Sequence, residues 1–156
     1  MPEPLDRAAI LEEASRIAAT QLGGTLATMH SEDGTPYVTF VLFHLRASGE
    51  VLFGSGVSPQ HTRNMAATPE VSFLIDNREV VRTDWAAFDR IVIEGHAEAV
   101  ANADPRFSAY MEELRAKNRM AAYFTEQGQM FCIHPRRLIL MKGFEPARNV
   151  VDWESA

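Results

Sequence analysis

Apolar residues recur at helical spacing early in the chain. Ile10, Leu11, Ala14, Ile17, Ala18 and Leu22 fall on one stripe, with Glu12, Glu13 and Arg16 between them. The spacing predicts an amphipathic helix from about Leu5 to Gln21, ended by Gly23-Gly24. The pattern then changes to strands. "TLATMH" and "YVTFVLFHLR" are β-branched and aromatic runs flanking the turn "SEDGTP", and "ASGE" turns the chain into "VLFG". That reads as a three-stranded antiparallel meander. A short helix is expected from Pro59 to about Ala67, closed before Pro69.

"EVSFLID" is a fourth strand, and "NREVVRTDWAAF" is polar and irregular. "DRIVIEGHAEAV" is a long fifth strand, in which Ile91, Ile93 and Gly95 alternate against Val92, Glu94 and His96. A further helix should start with Asp104 as cap and Pro105 in its first turn, burying Phe107, Tyr110, Met111 and Leu114. "MAAYFTEQ" allows one more helical turn. "GQMFCIHPRRLILMKGF" supplies one broken or two consecutive strands around Pro135, and the tail "EPARNVVDWESA" has no assigned element. Six short strands with two or three helices predict an α+β or mainly β protein, a small antiparallel barrel with helices outside it.

At 156 residues one domain is expected, with about 68–70% of the unfolded chain's surface buried. We divide it into an N-terminal helix (1–22), a barrel with inserted helices (23–142) and a C-terminal tail (143–156). The 15 basic and 21 acidic residues, net −6, argue against a nucleic-acid module. No segment approaches the ~18 apolar residues of a membrane span. The first residues lack the basic and apolar regions of a signal peptide. The expectation is therefore a cytoplasmic protein. The single cysteine, Cys132, reads as a buried small hydrophobe. His30, His44, His61, His96 and His134 are scattered. No pair has helical ligand spacing, so no metal site is expected.

The candidate site is the helix start in "GSGVSPQHTRN". His61 and Arg63 sit in its first turn, where the helix dipole disfavours cations by roughly 0.3–1 kcal/mol each. An anion there would reverse that cost. Ser58 before Pro59 is a strong cap, free N–H groups point outward, and Gly54 and Gly56 let the backbone approach closely. Ser55, Ser58, Gln60, His61, Thr62, Arg63 and Asn64 are the donors around it. The alternative is an ordinary surface helix with solvated side chains. No nucleophile elbow, Walker loop or dinucleotide-binding glycine motif occurs, and no catalytic acid or base stands out.

The stretches "DGTPYVTFVLFHL", "VLFGSGVSPQHTRNMAATPEVSFLI" and "RIVIEGHAEAV" resemble the pyridoxamine 5′-phosphate oxidase-like FMN-binding split barrels. The ending "PRRLILMKGFEPAR" is similar to the haem-utilisation branch. The resemblance covers roughly residues 22–148. It implies a six-stranded split barrel that forms a homodimer, with FMN in clefts between the subunits and a small-molecule substrate. By position it would set Thr39 at the ribityl-phosphate end, the backbone of Val41 and Leu42 at the ring edge, and Ser55, Ser58, His61, Thr62 and Arg63 around the phosphate. The oxidases proper carry basic residues where Thr39, His44, Gln60 and His61 stand here, and a C-terminal Arg-x-His motif that this chain lacks after Gly143. An FMN-dependent oxidoreductase on another small molecule is therefore expected. A non-catalytic flavin or haem module, with His96 or His134 as iron ligand, is the alternative. A deazaflavin in place of FMN and a vestigial dimerisation domain stay open.

Overall fold

Strand alternation sorts the chain into an inside and an outside. In the computed structural model, which describes residues 3–56, 59–146 and 148–154, the elements run in order. They are α1 (Arg7–Ala19), β1 (Gly23–Met29), β2 (Pro36–Leu45), β3 (Val51–Ser55), α2 (Gln60–Ala67) and β4 (Glu70–Asp76). Then come β5 (Asp89–Val100), α3 (Phe107–Lys117), α4 (Arg119–Gln127), β6 (Gln129–Lys142) and β7 (Asn149–Asp152). The strand order is β3-β2-β1-β4-β5-β6, all antiparallel, and β6 pairs back onto β3. This is a closed six-stranded antiparallel barrel with four flanking helices, a split barrel. Closure removes the open edges that a meander would leave. The seventh strand, β7, adds to the second half of β6.

Two apolar clusters follow from the alternation. Leu26, Val41, Phe43, Val51, Phe53, Phe73, Ile91 and Ile93 fill the barrel, and Ile10, Ala14 and Ile17 of α1 join them. On the outer face, Leu52, Val100, Met130 and Cys132 pack under Tyr110, Met111 and Leu114 of α3 and Ala121 and Ala122 of α4.

Proline explains why β6 is one strand rather than two. Gly95 lies opposite Pro135 while Glu94 lies opposite Arg137, so Arg136 is an extra residue. This bulge absorbs the missing N–H of Pro135. It also exchanges the faces of the strand: Phe131 and Ile133 point inward before it, Leu138 and Leu140 after it. A Cβ on Gly95 would lie 2.3 Å from the His134 carbonyl oxygen, so only glycine fits.

Several boundaries differ from the sequence reading. Asp6 rather than Leu5 opens α1, its carboxylate accepting from the Ala9 N–H at 2.8 Å. Asp104 does accept a backbone N–H, from Arg106 at 2.8 Å, but it closes a turn, and α3 begins at Phe107. "MAAYFTEQ" belongs to a full helix, α4, capped by the Asn118 side chain. In the 77–88 loop Trp85 packs on Phe88 and Phe144, while Val80 is exposed. The tail becomes β7 because Asn149 reaches back to accept from the Leu5 N–H at 2.9 Å. Among the described residues no helix is long and apolar enough to cross a membrane.

Candidate functional site

β3 ends where α2 begins, and three of the expected phosphate-site side chains meet there. Ser55 Oγ lies 2.6 Å from His61 Nε2 and 2.7 Å from Thr62 Oγ1, and the Thr62 hydroxyl donates to the Gly56 carbonyl at 2.8 Å. One assignment satisfies every proton. His61 Nε2–H donates to Ser55, Ser55 to Thr62, and Thr62 to Gly56. Burial pushes the His61 imidazole below its ordinary pKa, so it is neutral at pH 7.

Pro59 precedes α2 in an extended conformation, and its carbonyl accepts from the Thr62 and Arg63 N–H groups. The helix therefore starts one residue later than its sequence suggested. Ser58, the expected cap, lies outside the described residues. Arg63 donates to Gln60 Oε1 at 2.6 Å.

Asn64 departs from the expected donor set. It is fully buried, and its side chain accepts from the Ser31 N–H and donates to Thr28 Oγ1. It pins α2 to the β1–β2 hairpin and does not face the site. Gln60 likewise donates to Ser31 and Asn64.

A cleft of about 320 Å³ opens beside the Ser55–His61 pair. Val41, Leu42 and Phe40 of β2 form one wall, and Ala121, Phe124 and Gln127 of α4 another. Its described lining holds no carboxylate. Thr39 does not line it; this residue sits opposite Leu26 on β1, half-buried. Gly54 brings α4 close, since a Cβ there would meet Thr125 Oγ1 at 1.9 Å and the Thr125 backbone at 2.6 Å. A larger hollow of about 520 Å³ runs along the 77–88 loop. One of its cations, Arg78, is already held by Asp76 at 2.7 Å, and its lining includes the carboxylate-bearing Asp84, whereas the described lining of the smaller cleft holds no acidic residue.

His96 and His134, the candidate iron ligands, face each other across β5 and β6. They are not in the cleft lining. His96 meets Glu70 at 3.2 Å and His134 meets Glu98 at 2.9 Å.

A closed barrel with a donor-rich cleft at one end of β3, without a carboxylate in its described lining, defines a split-barrel protein with room for an anionic ligand. Residues 10–142 match the family model described as pyridoxamine 5′-phosphate oxidase, and the chain belongs to that family. No curated protein matches it. Among solved structures it is similar to a haem-binding protein from Mycobacterium smegmatis, at 24% identity and a TM-score of 0.79. That likeness covers 97% of this chain and 61% of the other, so this chain spans less than two thirds of that relative. It is also similar to the haem storage protein HutZ from Vibrio cholerae (18% identity, 90% and 92% covered, TM-score 0.65). A third likeness is to a FAD-binding protein from Mesorhizobium loti (16% identity, 88% and 95% covered, TM-score 0.67).

Proposed function

We propose that this protein binds FMN in the cleft at the mouth of β3 and serves as an oxidoreductase for a small molecule. One observation carries the reading: Ser55, His61 and Thr62 converge at a helix start beside a cleft without carboxylates in its described lining. A phosphate would exchange their mutual hydrogen bonds for charge-assisted ones, which are roughly twice as strong. Arg63, one position further along α2, adds a guanidinium fork. The apolar wall from Val41 and Leu42 suits the flat ring, whose bound form supplies hydride or electron transfer. The chain's own residues hold the phosphate, orient the ring and exclude water. FAD- and haem-binding neighbours share the fold, and the phosphate grip favours a flavin phosphate over haem.

The cleft's volume on one chain is near the lower end of the roughly 300–1,000 Å³ typical of small-molecule sites. A second wall from another copy would complete it. Phe40 (62% exposed), Val38 (65%) and Phe124 (49%) lie open on this side, as expected for a homodimer with the cofactor at its interface. Thr39 and His44 stand where the resemblance calls for basic residues, so pyridoxamine phosphate is not the substrate we infer.

The test is to identify the released chromophore by mass spectrometry and to titrate FMN by fluorescence. We expect FMN bound once per chain and weaker binding in Arg63→Ala, with the fold intact. Haem or deazaflavin on mass spectrometry, or an unchanged affinity in Arg63→Ala, would overturn this placement. Phe40→Lys should yield monomers in sedimentation velocity and lower FMN occupancy together. A monomeric wild-type protein would remove the dimer from the proposal.

A further inference from the structure

A second polar constellation lies on the outer face of the barrel, under α3. β6 is the middle strand there, between β3 and β5. Cys132 and His134 are two residues apart, so strand alternation turns both outward. Glu50 immediately precedes β3, whose first residue, Val51, pairs with Ile133. Glu98 pairs with Cys132 from the β5 side. β6 thus brings a thiol and an imidazole, and the β3 and β5 sides bring one carboxylate each, to one spot.

We propose that Cys132 Sγ, His134 Nδ1 and Glu50 Oε2 bind one divalent transition-metal ion of the zinc class. Glu50 Oε2 lies 3.5 Å from Cys132 Sγ and 3.6 Å from His134 Nδ1, and the three ligand groups lie within 4.8 Å of one another. Tetrahedral zinc, with bonds of about 2.3 Å to sulfur and about 2.0–2.2 Å to nitrogen and oxygen, sets its ligand atoms roughly 3.3–3.6 Å apart. Soft sulfur with imidazole selects zinc-like ions over magnesium or calcium.

The surroundings are arranged in the same sense. His134 Nε2 lies 2.9 Å from Glu98 Oε1. Donation to that carboxylate fixes the tautomer and leaves the Nδ1 lone pair aimed at the site, the carboxylate–histidine–metal arrangement. Glu50 Oε1 accepts from Arg46 at 2.9 Å and from Ser48 at 2.6 Å, and Oε2 faces the site, where it also accepts a long hydrogen bond from the Tyr110 hydroxyl at 3.4 Å. Arg106 braces Glu98 at 2.9 Å from above. Cys132 is fully buried, while the His134 side chain is 39% exposed and gives the ion an entry path. On binding, the thiol proton passes to solvent as the sulfur–metal bond forms. Three protein ligands leave one position for water. Glu98 is a positioning residue, not a ligand.

The test is titration of the untagged, chelator-treated full chain with Co²⁺, read as a difference spectrum, followed by displacement with Zn²⁺. We expect one Co²⁺ per chain, a sulfur-to-cobalt charge-transfer band in the near ultraviolet, and visible bands of tetrahedral intensity that Zn²⁺ abolishes. Cys132→Ala should lose the charge-transfer band. Should that core variant fail to fold, His134→Gln decides, with at least tenfold weaker Co²⁺ binding and an unchanged circular dichroism spectrum. Glu98→Gln should keep the bands and weaken binding roughly 10–100-fold. A spectrum equal to that of aqueous Co²⁺, or equal affinities in His134→Gln and wild type, would overturn the proposal.

Discussion

His61 and His134 stand near opposite ends of the same β3–β6 ribbon, and their neighbours give them opposite tasks. His61 contacts a serine hydroxyl, beside a threonine hydroxyl and the start of a helix, in a cleft with no carboxylate in its described lining. His134 lies between two carboxylates, Glu98 and Glu50, with a thiol alongside. The first setting accumulates donors and partial positive charge, which suits an anion. The second accumulates acceptors, which suits a cation. One residue type therefore reads as two chemistries, decided by what the sheet and helices place beside it.

The largest effect should come from breaking what both regions share. Gly54 is in β3, between Glu50 and Ser55. Its missing side chain lets Thr125 of α4 sit against the strand. Gly54→Ala should force α4 away and cost stability near the upper end of the roughly 1–3 kcal/mol typical of overpacking. Thermal unfolding would read this as a lower Tm, with FMN and Co²⁺ binding weakened together. A Tm equal to wild type would show that α4 is not anchored through this contact.

A sharper test separates the two regions. Arg63→Ala removes a charged donor beside one site and touches nothing near the other. Hydrogen bonds to charged groups are worth about 1.5–3 kcal/mol, so FMN affinity should fall on the order of 10–100-fold with Co²⁺ affinity unchanged. His134→Gln should do the reverse. Loss of both affinities in either single variant would mean that the two constellations are coupled and that the contrast between them is false.

How much of this was legible in the sequence depends on range. The six barrel strands and the first two helices follow from local alternation, turns and caps, and the structure places them within a few residues. The Ser55–His61–Thr62 convergence was legible because a turn and a helix start lie within eight residues of each other. Asn64 was misread because nothing local says that its amide turns inward toward Thr28 and Ser31. β7 was missed because its pairing depends on Leu138 and on the reach of Asn149 back to Leu5. The Cys132–His134–Glu50 group was missed because helical spacing was the test applied to the histidines. Period-two spacing in "CIH" was the available signal, but Glu50 and Glu98 lie 82 and 34 positions before Cys132 in the chain.

The smallest expected effect is a slope in the pH dependence of stability, and it tests the setting of His61. Burial lowers the pKa of His61 below 6.5 in the folded state. Between that lowered value and 6.5 the unfolded chain binds more protons than the folded one, so stability rises with pH. The stabilisation is fully present above 6.5 and is lost as pH falls toward the folded-state value. His44, lowered by burial against the opposing pull of Glu113 and helped by Lys117 and Arg46, contributes with the same sign. Denaturant melts of the apo protein from pH 7.5 down to pH 5 should therefore show a declining midpoint. His61→Asn should flatten the decline only in part, because His44 remains. Phosphate or FMN should flatten it further in wild type, since a bound anion favours the protonated imidazole and raises its pKa. If the anion left the wild-type slope unchanged, His61 would not face the bound phosphate, and the contrast with His134 would reduce to a difference in burial.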